Sequence, residues 1–402
     1  MTFLRPTVKN APDLRDFDYL PQANIYLDSA CQTLRPQQVI DAMDAYYHEY
    51  NACGDRVKYE WGRKVDRAIA EARSKLLKLA GKSSKDYVCA FTLNTTYGLN
   101  LILSQLPRGV YQQMITSEVE HNSVFLPSIT YARKLELKRT VLERSPDGAL
   151  IYKAENLDKA VVVVNTTTNF DGSLLTNAEQ LTNDAHRQGG IVIFDAAQSM
   201  AFNPEAVAAA DFDAICFSGH KLYGPSLGVI IIKKELLESL DISFIGGGAV
   251  EDVDLNSYTP LRGEPAARLE PGLQNFAGII GLSAAVDWLE GYRPLGKTSK
   301  QYEKDMATKL YEALETMPGI TLVNQTATPV LSFYADKLDS HKLAAYLSAQ
   351  DIMARSGYFC CHYYLDKVRR LPPMLRLSPG LNVTEDQLDT TIKALQIIIG
   401  GR

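Results

Sequence analysis

Short apolar runs alternate with amphipathic segments from about residue 37 to residue 300. Helical spacing is clearest between Trp61 and Gly81, where apolar residues recur every three or four positions. The runs that are typical of buried strands lie at about 87–93, 112–116, 138–142, 160–165, 190–195, 213–217 and 227–233. This alternation predicts an α/β fold built on a parallel sheet that helices cover on both faces.

The pattern changes near residue 291, after a long apolar helix predicted around Gly281. Beyond it, the spacing predicts a smaller α+β region. Its expected elements are a helix at 302–315, strands at 319–323 and 329–334, a helix at 341–349, a loop with Cys360, a strand at 374–377 and a helix from Glu385. We therefore expect an N-terminal arm (1–24) that packs on the small domain, a large domain (25–290) and a small C-terminal domain (291–402).

Composition and charge narrow the range of functions. The chain has 402 residues and a net charge of -5 without a basic tail, so neither nucleic acid nor an anionic membrane is an expected partner. No apolar run approaches the roughly 18 residues that span a bilayer, and the first residues lack a secretion-signal pattern, so we expect a cytoplasmic protein. The six cysteines form neither a CxxC pair nor a disulfide framework, which favours reduced thiols and predicts no metal site.

Two charged residues next to apolar runs are candidates for chemistry. Lys221 lies in Ser218-Gly219-His220-Lys221-Leu222-Tyr223-Gly224-Pro225, where its amine could reach a site at the sheet edge. Asp195 ends the apolar run at 191–194, and a buried carboxylate there needs a partner. A protonated pyridine nitrogen is a suitable one. Taken alone, Lys221 could be an ordinary surface lysine, and Asp195 could be a helix cap or one member of a structural ion pair.

A strand-to-helix turn at Asn94-Thr95-Thr96-Tyr97-Gly98-Leu99-Asn100 supplies hydroxyl and backbone N–H groups at a helix start. Such a terminus favours an anion such as phosphate, and Ser218 and His220 could complete the site, although an ordinary threonine cap would look the same. His121 and Asn169 follow two further strands. Because open α/β sheets bind ligands at the carboxyl ends of their strands, this joint placement predicts one site.

Taken in order, these motifs resemble those of pyridoxal-phosphate (PLP) enzymes of fold type I, aminotransferase class V, and within them the group II cysteine desulfurases and selenocysteine lyases. The resemblance covers nearly the whole chain. Besides the segment around Lys221, it rests on Tyr26-Leu27-Asp28-Ser29-Ala30, Glu120-His121-Asn122, Asp195-Ala196-Ala197-Gln198, Gly246-Gly247-Gly248, Arg268-Leu269-Glu270-Pro271-Gly272 and Arg355-Ser356-Gly357-Tyr358-Phe359-Cys360. It implies a large domain with a mostly parallel seven-stranded sheet, a smaller α+β C-terminal domain and a homodimer.

The resemblance also implies roles for individual residues, with PLP as the cofactor. Lys221 is implied as the lysine that forms a Schiff base with PLP, and Asp195 as the partner of the pyridine nitrogen. The other implied contacts are Gln198 and Asn169 at the phenolic oxygen, catalytic His121 on the ring face, Thr95, Thr96, Ser218 and His220 at the phosphate, and Asn169, Arg376 and Arg355 at the substrate. The planar guanidinium of Arg376 suits an α-carboxylate.

Cys360 occupies the place of the family's nucleophile, five residues after Arg355. The resemblance implies that its thiol attacks the substrate sulfur, in electropositive surroundings that Arg355 and the cofactor would supply. A spectator loop thiol is the alternative. Three features depart from the family pattern. Leu273 replaces a threonine that reaches the neighbouring subunit's phosphate, Cys361-His362 replaces small residues, and Tyr358-Phe359 replaces a pair that is often His-His.

The implied function is a cysteine desulfurase that converts L-cysteine to L-alanine and passes the sulfur, as a persulfide, to an acceptor protein. Selenocysteine lyase, acting on L-selenocysteine, is one alternative. Another is a class V lyase or aminotransferase in which Cys360 is not the nucleophile, including one similar to the aminotransferase-like domain of molybdenum cofactor sulfurases. A PLP-fold binding protein without turnover is the third, and the complete set of Lys221, Asp195 and Arg376 argues against it.

Overall fold

The computed structural model describes residues 12–54, 57–261 and 263–400, so residues 1–11 of the expected arm lie outside the described residues. The described chain begins with a two-residue strand and two helices: β1 (Ile25–Tyr26), α1 (Gln37–Glu49) and α2 (Glu60–Leu79). In the described ranges, no helix combines the length and the apolar character needed to cross a bilayer.

A seven-stranded sheet forms the centre of the large lobe. Its strands are β2 (Tyr87–Thr92), β3 (Gln113–Ser117), β4 (Lys138–Leu142), β5 (Ala160–Asn165), β6 (Ile191–Asp195), β7 (Ala214–Ser218) and β8 (Gly228–Lys233). They lie in the order β2-β8-β7-β6-β5-β3-β4. The two pairs that involve β8 are antiparallel and the other four are parallel. The predicted strands and the predicted fold class are confirmed, with β8 running against its neighbours.

Helices cover both faces of this sheet, which explains why its strands are continuously apolar. They include α2 and the helices that follow the strands in sequence: α3 (Thr95–Ser104), α4 (Asn122–Lys134), α5 (Ala178–Arg187), α6 (Ser199–Phe202), α7 (Glu205–Ala208) and α8 (Lys234–Ser239). All six residues of β5 are buried. Val162 and Val164 belong to one apolar cluster, whereas Val161 and Val163 belong to another. Since successive strand residues face opposite sides, the two clusters are the two cores of the lobe.

The remaining elements follow α8. They are β9 (Val250–Val253), β10 (Tyr258–Pro260), α9 (Phe276–Gly291), α10 (Ser299–Glu315), β11 (Ile320–Leu322), β12 (Leu331–Ala335), α11 (Ser340–Ser348), β13 (Ile352–Met353), β14 (Arg355–Gly357), β15 (Met374–Leu377) and α12 (Glu385–Gly400). Strands β11, β12, β15 and β14 form an antiparallel sheet. The helices and strands predicted for this region are confirmed, and the sequence pattern missed the short strands β9, β10, β13 and β14.

The N-terminal segment packs against C-terminal elements. Strand β1 pairs in parallel with β13, and Leu27 belongs to an apolar cluster with residues of α10, β12 and α12. Phe17 packs edge-on against Trp288 at a ring distance of 5.8 Å, and the Trp288 indole N–H donates to Asp16 at 2.8 Å. These contacts bring residues 25–28 next to β15, although the domain limits at residues 24 and 290 stay a prediction.

Candidate active site

A cavity of about 230 Å³ lies at the carboxyl ends of β5, β6 and β7. The structure brings all the predicted cofactor-binding residues together in its lining: Thr95, Thr96, His121, Asn169, Asp195, Gln198, Ser218, His220 and Lys221. They are far apart in sequence, and the strand ends and the starts of α3 and α4 carry them to one place. The structure therefore forms a single polar cavity where the sequence pattern predicted a site.

Lys221 and Asp195 form the charged centre of this cavity. Burial lowers the pKa of the Lys221 amine, and the nearby Asp195 carboxylate opposes that shift. Burial likewise raises the pKa of Asp195, while Lys221 lowers it. Asp195 Oδ1 also accepts a hydrogen bond from the Ala197 backbone N–H at 3.0 Å. Each charge stabilises the other, and a lysine with a lowered pKa suits nucleophilic or base chemistry.

One end of the cavity is rich in hydroxyl groups at the start of α3. The Thr95 backbone N–H donates to Ser218 Oγ at 2.9 Å, and the two side-chain hydroxyl oxygens are 2.6 Å apart. Thr96 Oγ1 lies 2.6 Å from Ser123 Oγ. The helix begins at Asn94, whose side chain accepts from the Tyr97 backbone N–H at 2.9 Å. Hydroxyl groups beside a helix N-terminus form a site for an anion such as a phosphate.

His121 lies beside the cavity as a neutral imidazole. Burial and the neighbouring cations, Lys221 first among them, lower its pKa to about 3. The Ser123 backbone N–H donates to His121 Nδ1 at 3.0 Å, so Nδ1 is an acceptor and the ring proton is on Nε2. The hydrogen bond from Ser123, at the start of α4, therefore fixes the orientation of the ring. Because the imidazole is neutral, His121 adds no charge to the site.

A buried ionic network supports the backbone next to His121. The Asn165 backbone N–H and side-chain amide donate to Glu120 Oε2 at 2.7 and 2.9 Å, and Arg144 Nη2 lies 3.4 Å from Glu120 Oε1. Burial raises the pKa of Glu120 to about 7, against the opposing charge of Arg144. The network ties the end of β5 to the start of α4, which fixes the position of His121.

Two arginines reach the site from the C-terminal sheet. Arg355 and Arg376 are direct partners in the antiparallel pair of β14 and β15. Arg376 donates from Nη2 to Asp28 and from Nη1 to the Asn169 carbonyl, both at 2.8 Å. Arg355 donates from Nη1 to the sulfur of Cys31 at 2.7 Å. The two arginines thus share one side of the site, and each contacts the N-terminal segment.

Cys360 lies on a loop that the cavity residues hold in place. The Cys360 carbonyl accepts from the Asn122 backbone N–H at 2.7 Å, and the Phe359 carbonyl accepts from the Asn169 amide at 2.5 Å. Phe359 and Cys360 both adopt left-handed backbone conformations, with φ of 50° and 61°. For residues other than glycine such conformations cost on the order of 1–3 kcal/mol each, and they often occur at functional sites.

The two adjacent cysteines have different environments. Cys360 is half-buried, whereas Cys361 is buried. The Cys361 thiol donates to the Val119 carbonyl at 3.4 Å, and burial raises its pKa well above the ordinary range. Of this pair, Cys360 is the more accessible thiol. A nucleophilic thiol requires such access.

The chain is similar to known proteins over most of its length. The family model of aminotransferase class V matches residues 25–390. This chain belongs to aminotransferase class V. A probable cysteine desulfurase of Vibrio cholerae is 30% identical over 382 residues, which is 92% of each chain. A probable cysteine desulfurase of Pyrococcus abyssi is 32% identical, covering 91% of this chain and 90% of the relative.

Solved structures of the family have the same fold. The apo cysteine desulfurase of Thermococcus onnurineus superimposes with a TM-score of 0.84 at 29% identity, over 94% of this chain and 95% of the other. The cysteine desulfurase CsdA of Escherichia coli gives a TM-score of 0.83 at 26% identity, over 94% and 96%. The prediction of the class V family and its PLP-dependent fold is confirmed.

The residues of the cavity fit the class V cofactor, PLP. Hydroxyl groups and a helix N-terminus suit its phosphate, and Asp195 suits a protonated pyridine nitrogen. Among the described residues, the buried Asn169 Oδ1 and Gln198 Oε1 have no hydrogen-bond partner. Because unpaired buried polar atoms are costly, these two atoms indicate that the cavity is shaped for a polar ligand.

Sequence reasoning gave no role to three residues that the class V site contains. Asp28 contacts Arg376, Cys31 contacts Arg355, and Ser123 contacts both Thr96 and His121. Asp28 and Cys31 follow the apolar run 25–27. An acidic residue directly after an apolar run indicates a candidate site residue, as it did for Asp195. Ser123 sits at the start of α4, two residues after His121, which is a common place for a serine that bonds locally.

Proposed function

We propose that this class V protein is a homodimeric, cytoplasmic, PLP-dependent cysteine desulfurase. It would convert L-cysteine to L-alanine and pass the sulfur, through a persulfide on Cys360, to an acceptor protein. The observation that carries the proposal is the position of an accessible thiol on the loop held by Asn169. Relatives with about 30% identity are named cysteine desulfurases.

PLP would be held by Lys221 covalently, by Asp195 at its ring nitrogen and by the hydroxyl groups around Thr95 at its phosphate. When bound, PLP supplies an electron sink for negative charge at the substrate Cα. His121, neutral and fixed by Ser123, would offer a flat face to the ring without adding charge. Each of these roles is part of the proposal.

The chain's own residues would perform the remaining work. Arg376 would bind the α-carboxylate with its planar guanidinium and so orient the Cα–H bond. Lys221, whose pKa burial lowers, would take the Cα proton and later return a proton to the product. The Cys360 thiolate would attack the substrate sulfur, so that an S–S bond forms, the C–S bond breaks and its electron pair stays with the carbon that becomes alanine.

A homodimer is supported by large apolar side chains that are exposed to solvent in the described chain. On the β9–β10 hairpin, Leu255 is 97% exposed and Val253 is 65% exposed, and Leu273 on a neighbouring loop is 76% exposed. Large apolar side chains with such high exposure favour a surface that a partner covers. All six cysteines are free, which suits a reducing compartment such as the cytoplasm.

The test is production of alanine and sulfide from L-cysteine by the PLP-loaded protein with a reducing thiol present. We expect the wild type to form both, and Cys360→Ala to lose at least about a hundredfold in sulfide release, since it lacks the nucleophile. The variant should keep the change in cofactor absorbance on adding cysteine. Cys361→Ala is the matched control and should keep its activity. An inert wild type, or a fully active Cys360→Ala, contradicts the proposal, and L-selenocysteine is then the next substrate.

A further inference from the structure

A second thiol, that of Cys31, lies in the N-terminal segment that bonds to residues of the cavity. The residues on either side of it bond to residues that line the cavity. The Ala30 carbonyl accepts from the Gln198 amide at 2.9 Å, and the Thr33 backbone N–H donates to the His220 carbonyl at 2.9 Å. Cys31 is therefore held by its own backbone beside the residue that precedes Lys221.

Its sulfur has a cationic partner. Arg355 donates from Nη1 to Cys31 Sγ at 2.7 Å, and Arg355 begins β14, the strand that leads into the loop with Cys360 five residues later. The two segments also meet through Arg376, which lies 4.9 Å from the ring of Phe359, the residue before Cys360, and donates to Asp28, three residues before Cys31. A guanidinium hydrogen bond stabilises a sulfur anion, whether thiolate or persulfide.

The other thiols of the chain do not share this arrangement. Cys89, Cys216 and Cys361 are buried. Cys53 is exposed, and its thiol donates to the carbonyl of Gly54 at 3.2 Å. Cys31 is half-buried, as Cys360 is. Cys31 and Cys360 are the two half-buried thiols of the six, and each lies on a segment that bonds to a residue of the cavity.

We propose that Cys31 is a second sulfur carrier, which receives the sulfane sulfur from the persulfide of Cys360. The inference rests on the proposed desulfurase function. The Cys31 thiolate attacks the outer sulfur of Cys360–S–SH, a new S–S bond forms at Cys31, the old one breaks, and its electron pair leaves on the Cys360 thiolate. The outer sulfur keeps its hydrogen, so no oxidant or reductant is consumed.

This transfer frees the nucleophile while the sulfur stays inside the site. Arg355 would hold the resulting persulfide with the hydrogen bond it already makes to the Cys31 sulfur. One subunit could then complete two turnovers before any external thiol acts. Without a reducing thiol, we expect a burst of about two alanine per subunit in the wild type and about one in Cys31→Ser.

Mass spectrometry tests the inference directly. The PLP-loaded protein is mixed with L-cysteine without reductant, quenched with an alkylating reagent and digested, and peptides are searched for one extra sulfur atom. We expect extra sulfur on the Cys31 and Cys360 peptides of the wild type, only on Cys360 in Cys31→Ser, and on neither in Cys360→Ser. The Cys53 peptide is the internal control and should carry none.

Each contrary outcome has a distinct meaning. If Cys360 carries sulfur and Cys31 never does, the relay is wrong and the desulfurase proposal stands. If Cys31 is labelled in Cys360→Ser, or Cys53 is labelled as strongly as Cys31, the transfer from Cys360 to Cys31 is wrong. If no peptide is labelled and no alanine forms, the proposed function fails, and the relay fails with it.

A second measurement needs no cofactor or turnover. In the cofactor-free protein, we expect Arg355→Leu to slow iodoacetamide alkylation of Cys31 by about tenfold near neutral pH, because the thiolate loses a charged donor. Arg355→Lys should restore part of the rate, and alkylation of Cys53 should not change. An unchanged Cys31 rate in Arg355→Leu would overturn the role assigned to this arginine and to the thiol it holds.

Discussion

Arg376 and Asp28 form an ion pair at 2.8 Å across the site, although they are far apart in sequence. The Arg376 side chain is 2% exposed and that of Asp28 is 20% exposed. Burial lowers the pKa of Arg376, and the Asp28 carboxylate opposes that shift. Asp28 is therefore the counter-ion of the arginine that we assign to the substrate carboxylate, and an incoming carboxylate must share or displace it.

Asp28→Asn tests this competition. We expect the KM for L-cysteine to fall by about threefold or more, because the substrate no longer competes with a carboxylate. We also expect the free energy of unfolding to fall by about 2 kcal/mol, because Arg376 loses its counter-ion. Steady-state kinetics and urea titration measure the two effects. Asp305→Asn, which removes a carboxylate paired with Lys297 at the surface, is the control, and an increased KM in Asp28→Asn would refute the competition.

Asp195→Asn tests the coupling at the centre of the cavity. Since Asp195 raises the pKa of Lys221, its neutralisation should lower that pKa further, by about one unit or more. The pH dependence of Lys221 acetylation in the cofactor-free protein, followed by mass spectrometry, measures the change. Lys233, which pairs with Asp211, serves as the internal reference. A raised pKa of Lys221 in the variant would exclude the coupling.

The sequence predicted the parts of this fold that depend on local pattern. The strands of the large sheet are buried on both faces, so their apolar runs were visible, and Asp195 and Lys221 stood out as charges beside them. The direction of β8 was not predicted, because an apolar run has no direction. It could have been, since residues 219–227 are too few for the dozen or so that a parallel crossover needs.

The contacts that were not predicted from the sequence join segments that are far apart along the chain, and local sequence patterns do not encode such contacts. Asp28 contacts Arg376, and Cys31 contacts Arg355. Both contacts form because β1 pairs with β13 and brings the N-terminal segment beside the C-terminal sheet. Apolar periodicity indicates which face of an element is buried but not which distant element covers it. The family resemblance located both arginines, and the contacts of Cys31 required the folded chain.

The exposed apolar surface predicts a dimer that charge can disrupt. We expect the double variant Leu255→Asp and Leu273→Asp to shift the protein from dimer to monomer in sedimentation experiments, because two charges would be buried without partners. Val110→Asp is the matched control, since Val110 is also apolar and 50% exposed but precedes β3 at the opposite end of the sheet from the cavity. A double variant that stays dimeric, or a wild type that is monomeric, would exclude this interface.

The last prediction concerns a buried acid that joins the C-terminal lobe to the segment after Lys221. The Tyr223 hydroxyl donates to Glu303 on α10 at 2.7 Å and accepts from the Leu381 backbone N–H at 2.8 Å. Burial raises the pKa of Glu303 from 4.5 to about 7, and the hydrogen bond from Tyr223 offsets only part of that shift. Glu303 is therefore protonated in the folded protein below about pH 7.

This shift has a definite sign. Between pH 4.5 and about 7 the folded protein holds a proton on Glu303 that the unfolded chain has lost, so stability falls as the pH rises through this range. Glu303→Gln removes the titration and keeps an acceptor for Tyr223. We expect its free energy of unfolding, relative to the wild type, to rise by about 3 kcal/mol across the range.

Urea titrations of both proteins at a series of pH values measure this difference, and other titrating groups cancel because both proteins contain them. Glu290→Gln is the control, because Glu290 is exposed and paired with Lys78 at the surface, where ion pairs contribute little. Its difference from the wild type should stay near zero at every pH. A flat difference for Glu303→Gln would mean that Glu303 is ionised in the folded protein. The hydrogen bond from Tyr223 would then be made to a buried carboxylate, and the link between the lobes would not weaken as the pH rises through this range.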